Sequence, residues 1–134
     1  MKKILVAVLM CLTVLGCKEE KITKASEPSI KGVEYAMVDA PNGARVTLTF
    51  SNEDNRYFGE VVNRYFGTYE MGTDGKLTLS GAASTLMMGP RELMQTEQTY
   101  LQNLAKTVGY KTRDDQLILI LSDGTEFTFK PAGK

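Results

Sequence analysis

The residues of this chain able to do chemistry are few: carboxylates, methionines and two cysteines. No histidine occurs in the 134 residues, and Cys11 and Cys17 both fall near the N-terminus. Histidine-based triads, thiol nucleophiles in the body of the chain and the usual zinc sites are therefore excluded. Two acids alone suffice for glycoside hydrolysis, and Glu97 with Glu60 or Glu70 is the pairing to consider. Met71, Met87, Met88 and Met94 raise a second option, a copper(I) site of soft thioethers. Packing is the simpler use of these methionines, because Met94 falls on a helix stripe and the adjacent Met87 and Met88 would point to opposite sides of an extended chain.

Glu97 stands out because of where a helix would put it. Pro90 to about Val108 reads as a helix, with Pro90 at the first position, Glu92 in the first turn and Gly109 just past the end. At 100° per residue, Leu93, Met94, Tyr100, Leu101, Leu104 and Val108 form one apolar stripe. Glu97 lies in the middle of it. Burying that carboxylate unpaired would cost several kcal/mol, so it needs partners. Either it lines an internal pocket as a ligand group, or it accepts hydrogen bonds from backbone amides, tyrosine hydroxyls or an arginine such as Arg64 and fixes the helix on the fold. Structural use of buried polar groups is the commoner case.

The elements that would position this helix are strands. Val33–Val38 is followed by the turn Pro41-Asn42-Gly43, and Arg45–Phe50 alternates with Val46, Leu48 and Phe50 on one face. Tyr65–Glu70 leads through Gly72-Thr73-Asp74-Gly75 to Lys76–Ser80. After the helix, Tyr110–Arg113, Gln116–Leu121 and Thr125–Lys130 form a meander with turns at Asp114-Asp115 and Ser122-Asp123-Gly124. The expected class is α+β: an antiparallel, partly closed (cracked) β-barrel-like sheet with one main helix packed against it. Between these elements the pentapeptide Asn-Arg-Tyr-Phe-Gly occurs twice, at Asn55–Gly59 and Asn63–Gly67. The two glycines are expected to mark bends or bulges that curve the sheet.

The N-terminus reads as an export and anchoring device. Lys2 and Lys3, an apolar run from Ile4 to Leu15 and Gly16 ahead of Cys17 make a signal too short for a comfortable membrane span. Residues 1–16 are the expected signal peptide, residues 17–29 a lipidated Cys17 with a charged flexible tether, and residues 30–134 one folded domain. Val14-Leu15-Gly16-Cys17 resembles the lipobox of bacterial lipoproteins, in which the cysteine is acylated. Lys18 after the cysteine, by resemblance to the sorting rule of diderm bacteria, implies the outer membrane, facing the periplasm or the cell surface. The mature part would carry 14 basic and 16 acidic side chains, which gives no reason to expect nucleic acid. No cofactor or metal is expected, and the domain is expected to be a monomer.

Three segments together carry a family resemblance: Gly32–Val38, Val61–Pro90 and Glu97–Phe129. Their most specific part is the ordered pair Asn63-Arg64-Tyr65-Phe66-Gly67-Thr68-Tyr69 and Thr85-Leu86-Met87-Met88-Gly89-Pro90, followed by a helix bearing an acid. In these the chain resembles the META/HslJ domain. The resemblance implies a fold like a cracked barrel and an envelope lipoprotein with a stress-response context, since the name member is a heat-shock protein linked to novobiocin tolerance. It brings no catalytic activity. It singles out Asn63, Arg64, Tyr65, Gly67, Tyr69, Met87, Pro90 and Glu97 as structural or binding residues. Many members carry a cysteine in Gly-Cys-Asn, aligned with Val61-Val62-Asn63, and another in Met-x-Cys-Pro, aligned with Met87-Met88-Gly89-Pro90. Here Val62 and Gly89 stand in those places, so no redox role of that pair transfers. Tyr35 stands where a tryptophan is common. The expected function is a non-enzymatic, lipid-anchored envelope protein binding a protein partner or small apolar ligand. The alternative is an assembly, pilot or chaperone-like factor for an outer-membrane machine.

Overall fold

A computed structural model describes residues 29–133. The expected signal peptide, Cys17 and the tether up to residue 28 lie outside the described residues. Nine strands form one antiparallel system: β1 (Glu34–Met37), β2 (Thr47–Phe50), β3 (Arg56–Glu60), β4 (Arg64–Met71), β5 (Leu77–Leu79), β6 (Ala83–Ser84), β7 (Thr107–Arg113), β8 (Gln116–Leu121) and β9 (Glu126–Pro131). The main path runs β5-β4-β3-β2-β1-β9-β8-β7, with the two-residue β6 on the first half of β4. The ends of this path meet. Lys76 bridges Gly109, and the Tyr110 N–H donates to the Gly75 carbonyl at 2.9 Å. A sheet joined at its seam by so short a contact is the cracked barrel that the strand pattern predicts, and among the described residues one α-helix, α1 (Arg91–Leu104), covers one mouth.

Strand alternation sets the interior. Val46, Leu48 and Phe50 are all buried, with Tyr35, Tyr57, Tyr65, Tyr69, Leu77, Leu117, Leu119, Leu121 and Phe129 from the surrounding strands. Tyr100 and Leu104 of α1 close this core from above. Tyrosine recurs inside because each ring offers large apolar area while its hydroxyl can reach a backbone acceptor. The Tyr57 hydroxyl donates to the Ser80 carbonyl at 2.6 Å and that of Tyr69 to Ser51 at 2.8 Å. Tyr100 and Tyr65 share a hydroxyl contact of 2.7 Å, and Tyr65 also bonds the Thr47 carbonyl. Because that carbonyl only accepts, the chain of donors runs from Tyr100 through Tyr65 to Thr47.

The repeated pentapeptide forms the two arms of the β3–β4 hairpin. Tyr57 lies opposite Gly67, Phe58 opposite Phe66 and Gly59 opposite Tyr65, in unbroken register. The expectation of bends or bulges at the glycines is therefore corrected: Gly59 and Gly67 are the empty places into which the tyrosines of the other arm fold. A Cβ on Gly59 would stand 2.5 Å from the Tyr65 hydroxyl and against the Thr47 carbonyl, while one on Gly67 would meet the Tyr57 hydroxyl at 2.7 Å. Each copy of Tyr-Phe-Gly thus complements the other, an aromatic ring covering a cross-strand glycine.

The helix is shorter than its apolar stripe implies. Pro90 is the residue before its first turn, the last helical residue is Leu104, and Val108 is an exposed residue of β7. Thr107 ends the run by donating its hydroxyl to the Leu104 carbonyl at 2.8 Å and by pairing with Leu121. Adjacent β-branched residues gain more from a strand ladder than from another helical turn. Gly109 is a seam residue, not a helix stop: its Cβ would lie 3.1 Å from the Gly75 carbonyl.

Candidate functional site

Helix α1 has two working flanks, and they face different neighbours. On one flank Glu97, 6% exposed, reaches the turn between β3 and β4. One carboxylate oxygen accepts the Val62 N–H at 2.9 Å and the Asn63 N–H at 2.6 Å, and the other accepts the Asn63 side-chain amide at 2.9 Å. Backbone amides and one carboxamide are thus its partners. Arg64 is not: its side chain is exposed, and among the described residues no carboxylate lies within ion-pair distance of it. The reason is the strand period, because Arg64 follows the inward Asn63 and points out.

Asn63, 2% exposed, passes the connection on. Its side-chain oxygen accepts the Thr85 hydroxyl at 3.0 Å and the Met87 N–H at 2.5 Å, and its amide also approaches the Met87 carbonyl at 3.4 Å. The backbone of Arg64 accepts from the Thr85 N–H at 3.0 Å and donates to its hydroxyl at 3.2 Å. Glu97 therefore holds Asn63, and Asn63 holds the loop from Thr85 to Met88. That loop presents Leu86, Met87 and Met88 at 95%, 60% and 93% exposure.

The remaining sequence-derived candidates have other duties. Tyr65 and Tyr69 are buried hydroxyl donors, and Gly67 makes room for Tyr57. Pro90 is exposed, and its carbonyl accepts the Met94 N–H at 3.0 Å. Glu60 and Glu70 lie on the outer face of β3 and β4, away from the inward-facing Glu97, so the carboxylate pairing is not assembled. Met87 and Met88 are exposed, Met71 is partly buried at the end of β4, and Met94 is half-buried on α1 with its sulfur beside Gly89. Among the described residues there is no group of three or more acids or cysteines that could hold a metal.

The other flank of α1 borders a cavity that the sequence did not announce. It measures about 390 Å3 and lies between α1, the 3-10 turn Pro41–Gly43, β1 and β9. Met37, Pro41, Val46, Tyr100 and Phe127 supply apolar wall, and Asn42, Gln95, Thr96, Thr99 and Asn103 supply uncharged polar groups. No lining residue carries a formal charge. Tyr100 and Phe127 stack within it, with ring centroids 5.9 Å apart and planes inclined by 24°. Asn42 fixes the turn to the helix: with φ at 57°, it donates to the Thr96 hydroxyl at 2.9 Å, and Thr96 donates to the Glu92 carbonyl at 3.0 Å. Left-handed backbone is tolerated by asparagine better than by most residues, which is the signal Pro41-Asn42-Gly43 carried. Its role as a pocket wall depended on β9 and α1 converging on it, a contact of high sequence separation.

The META domain family matches residues 29–134. The chain belongs to this family. Among solved structures, this META domain is similar to the NMR structure of a protein from Burkholderia xenovorans, with 26% identity, a TM-score of 0.63, and 78% of this chain and 85% of that chain covered. A second NMR structure shares the fold at 21% identity and a TM-score of 0.58, covering 77% of this chain and 92% of the other. No curated protein matches the chain. The geometry also bears on the cysteines that the family resemblance places at Val62 and Gly89. A Cβ on Gly89 would lie 2.8 Å from Cγ1 of Val62. In this META domain the valine side chain fills the space over the glycine, joining by packing the same turn and loop that Asn63 joins by hydrogen bonds.

Proposed function

We propose that this META domain is a non-enzymatic, lipid-anchored envelope protein that uses the pocket beside α1 to bind a small, largely apolar and uncharged ligand, or an uncharged segment of a protein partner, in an envelope stress response. The observation that carries the reading is the pocket itself: a concave, mostly apolar volume with a few uncharged polar groups, the usual make-up of a small-molecule site. A cavity of about 390 Å3 suits a ligand of one or two rings. With no charge on its lining, it would disfavour ions, since a buried charge without a partner is costly. Glu97, with both oxygens engaged, is a structural group in this reading.

The test is fluorescence titration with a neutral apolar dye, N-phenylnaphthylamine, followed by competition with lipid extracts of the envelope. Thr99→Trp at the rim fills the pocket without touching the core. Dye binding that is lost in Thr99→Trp at unchanged melting temperature supports the pocket as the site, whereas equal binding in both proteins refutes it. Assembly of an outer-membrane machine is the second reading, favoured by the outward pair Phe58 and Phe66, opposite one another on the β3–β4 surface at about half exposure.

A further inference from the structure

Leu86, Met87 and Met88 are three consecutive large apolar residues in the open, and two of them are almost wholly bare. Such a run destabilises nothing in the folded state but invites association, so it calls for a use. It is also not loose. The Met87 N–H and carbonyl face the two ends of the Asn63 carboxamide, which Glu97 in turn holds from inside the fold. A buried carboxylate, acting through Asn63, thus anchors the backbone of an exposed apolar loop at Met87.

We propose that the Leu86–Met88 loop dips into the lipid bilayer and orients the domain on the membrane surface. Three arguments select lipid as the occupant. The first is area: three side chains offer on the order of 400 Å2, about half of what one partner contributes to a stable protein interface. A bilayer needs no matching concavity, and a short apolar protrusion gains from shallow insertion. The second is the polar rim of the loop. Arg64, whose backbone pairs with Thr85, and Arg91, three residues beyond Met88, are both exposed beside the loop, where phosphate headgroups would lie. Glu60 and Glu92 are exposed nearby, so insertion and not net charge supplies the attraction.

The third argument is reach. The described chain begins next to Phe50, which Lys31 bridges, at the end of the β3–β4 hairpin opposite its turn. The turn and the loop it supports lie about 20 Å away by strand rise. Residues 18–29 extend up to about 40 Å, so a chain fixed to the bilayer at Cys17 can still lay the loop on the surface. This step rests on the proposed lipid anchor.

The chain has no tryptophan, which makes the test direct. Residues 17–134, which include the whole described fold, are coupled through the Cys17 thiol to a maleimide lipid in vesicles of phosphatidylethanolamine and phosphatidylglycerol. Chemical coupling separates this question from natural acylation: mass spectrometry of the cellular protein decides the latter, and an unmodified Cys17 there would sink the proposed anchor alone. Met88→Trp is expected to shift its emission to the blue on vesicles and to be quenched by brominated acyl chains. Glu53→Trp, in the β2–β3 connection at the far end, is expected to do neither. Met88→Trp emission that stays water-like and equally open to acrylamide would overturn the proposal, as would a blue shift that appears only when envelope proteins are added. As a second measurement, the uncoupled Cys17→Ser chain should lose about tenfold in vesicle partitioning when Leu86→Ser and Met88→Ser are combined, with its melting temperature unchanged. Equal partitioning of the two proteins would count against insertion.

Discussion

The two copies of Asn-Arg-Tyr-Phe-Gly share every residue and only part of their fate. Tyr57 and Tyr65 are both buried and each covers the other copy's glycine, so the last three residues do one job twice. Asn55 and Asn63 differ completely: the first is exposed in the β2–β3 connection, and the second is the hub between Glu97 and the Thr85–Met88 loop. What separates them is what stands next to each, since α1 packs over the hairpin turn and not over the opposite end. A short motif acquires its role from the element that tertiary structure brings to it.

The sharpest way to break this comparison is at the asparagines and their acid. Asn63→Ala and Glu97→Ala each leave buried donors or acceptors without partners and should cost about 3–5 kcal/mol. Asn55→Ala should stay within about 0.5 kcal/mol. Denaturant unfolding of the three variants checks this, and equal losses at Asn55 and Asn63 would mean that the two copies play the same part. Glu97→Gln retains one acceptor oxygen and should fall between. Next come the glycines. Gly59→Ala drives a methyl into the Thr47 carbonyl, a backbone group, and should cost about 3 kcal/mol; Gly67→Ala meets only the side chains of Tyr57 and Ser80 and should cost about 1. Reversal of that order would mean the two Tyr-over-Gly pairs are not built alike.

A smaller gain is expected from making the asymmetric connection covalent. With Val62→Cys and Gly89→Cys together, oxidation should close a disulfide and add about 2 kcal/mol, read as a rise in melting temperature that dithiothreitol abolishes. Failure to oxidise would place the turn and the loop further apart than described. The smallest effect is electrostatic and confined to alkaline pH. Burial raises the Tyr57 hydroxyl above the ordinary 10.0 and raises Tyr65 well above it, with Tyr100 beside Tyr65 adding to the shift. An unfolded tyrosine loses its proton near pH 10 while these hold theirs, so above that pH the unfolded chain binds fewer protons. Stability should therefore be level with respect to these groups below pH 10 and decline above it, and Tyr65→Phe should flatten the decline more than Tyr57→Phe.

Much of the barrel was legible before its shape was known. Alternation in Arg45–Phe50 and the turn residues between later strands carry strand character locally, and the lone acid in an apolar stripe marked Glu97 as buried and partnered. Local signals failed where two distant segments decide the outcome. Val108 continues the helical stripe in sequence, yet Thr107 pairs with Leu121 and the chain becomes a strand. Gly59 and Gly67 look like bends until the register sets each against a tyrosine. The pocket was hidden for the same reason, because Met37, Asn42, Thr99 and Phe127 come from four elements and none is unusual alone.

The pairing of β1 with β9 has one more consequence. Tyr35 lies opposite Pro131, the Ala132 N–H donates to the Glu34 carbonyl at 2.8 Å, and Ser29 borders the same hollow as Pro131. Both ends of the described fold thus surface at one corner. Cargo fused after residue 134 would therefore crowd the chain entering at Ser29, and not the Leu86–Met88 loop. The same proximity makes the fold a candidate for circular permutation: a short linker across the corner, with new ends cut at the exposed Ser122-Asp123-Gly124 turn, leaves the seam and the Glu97 hub untouched.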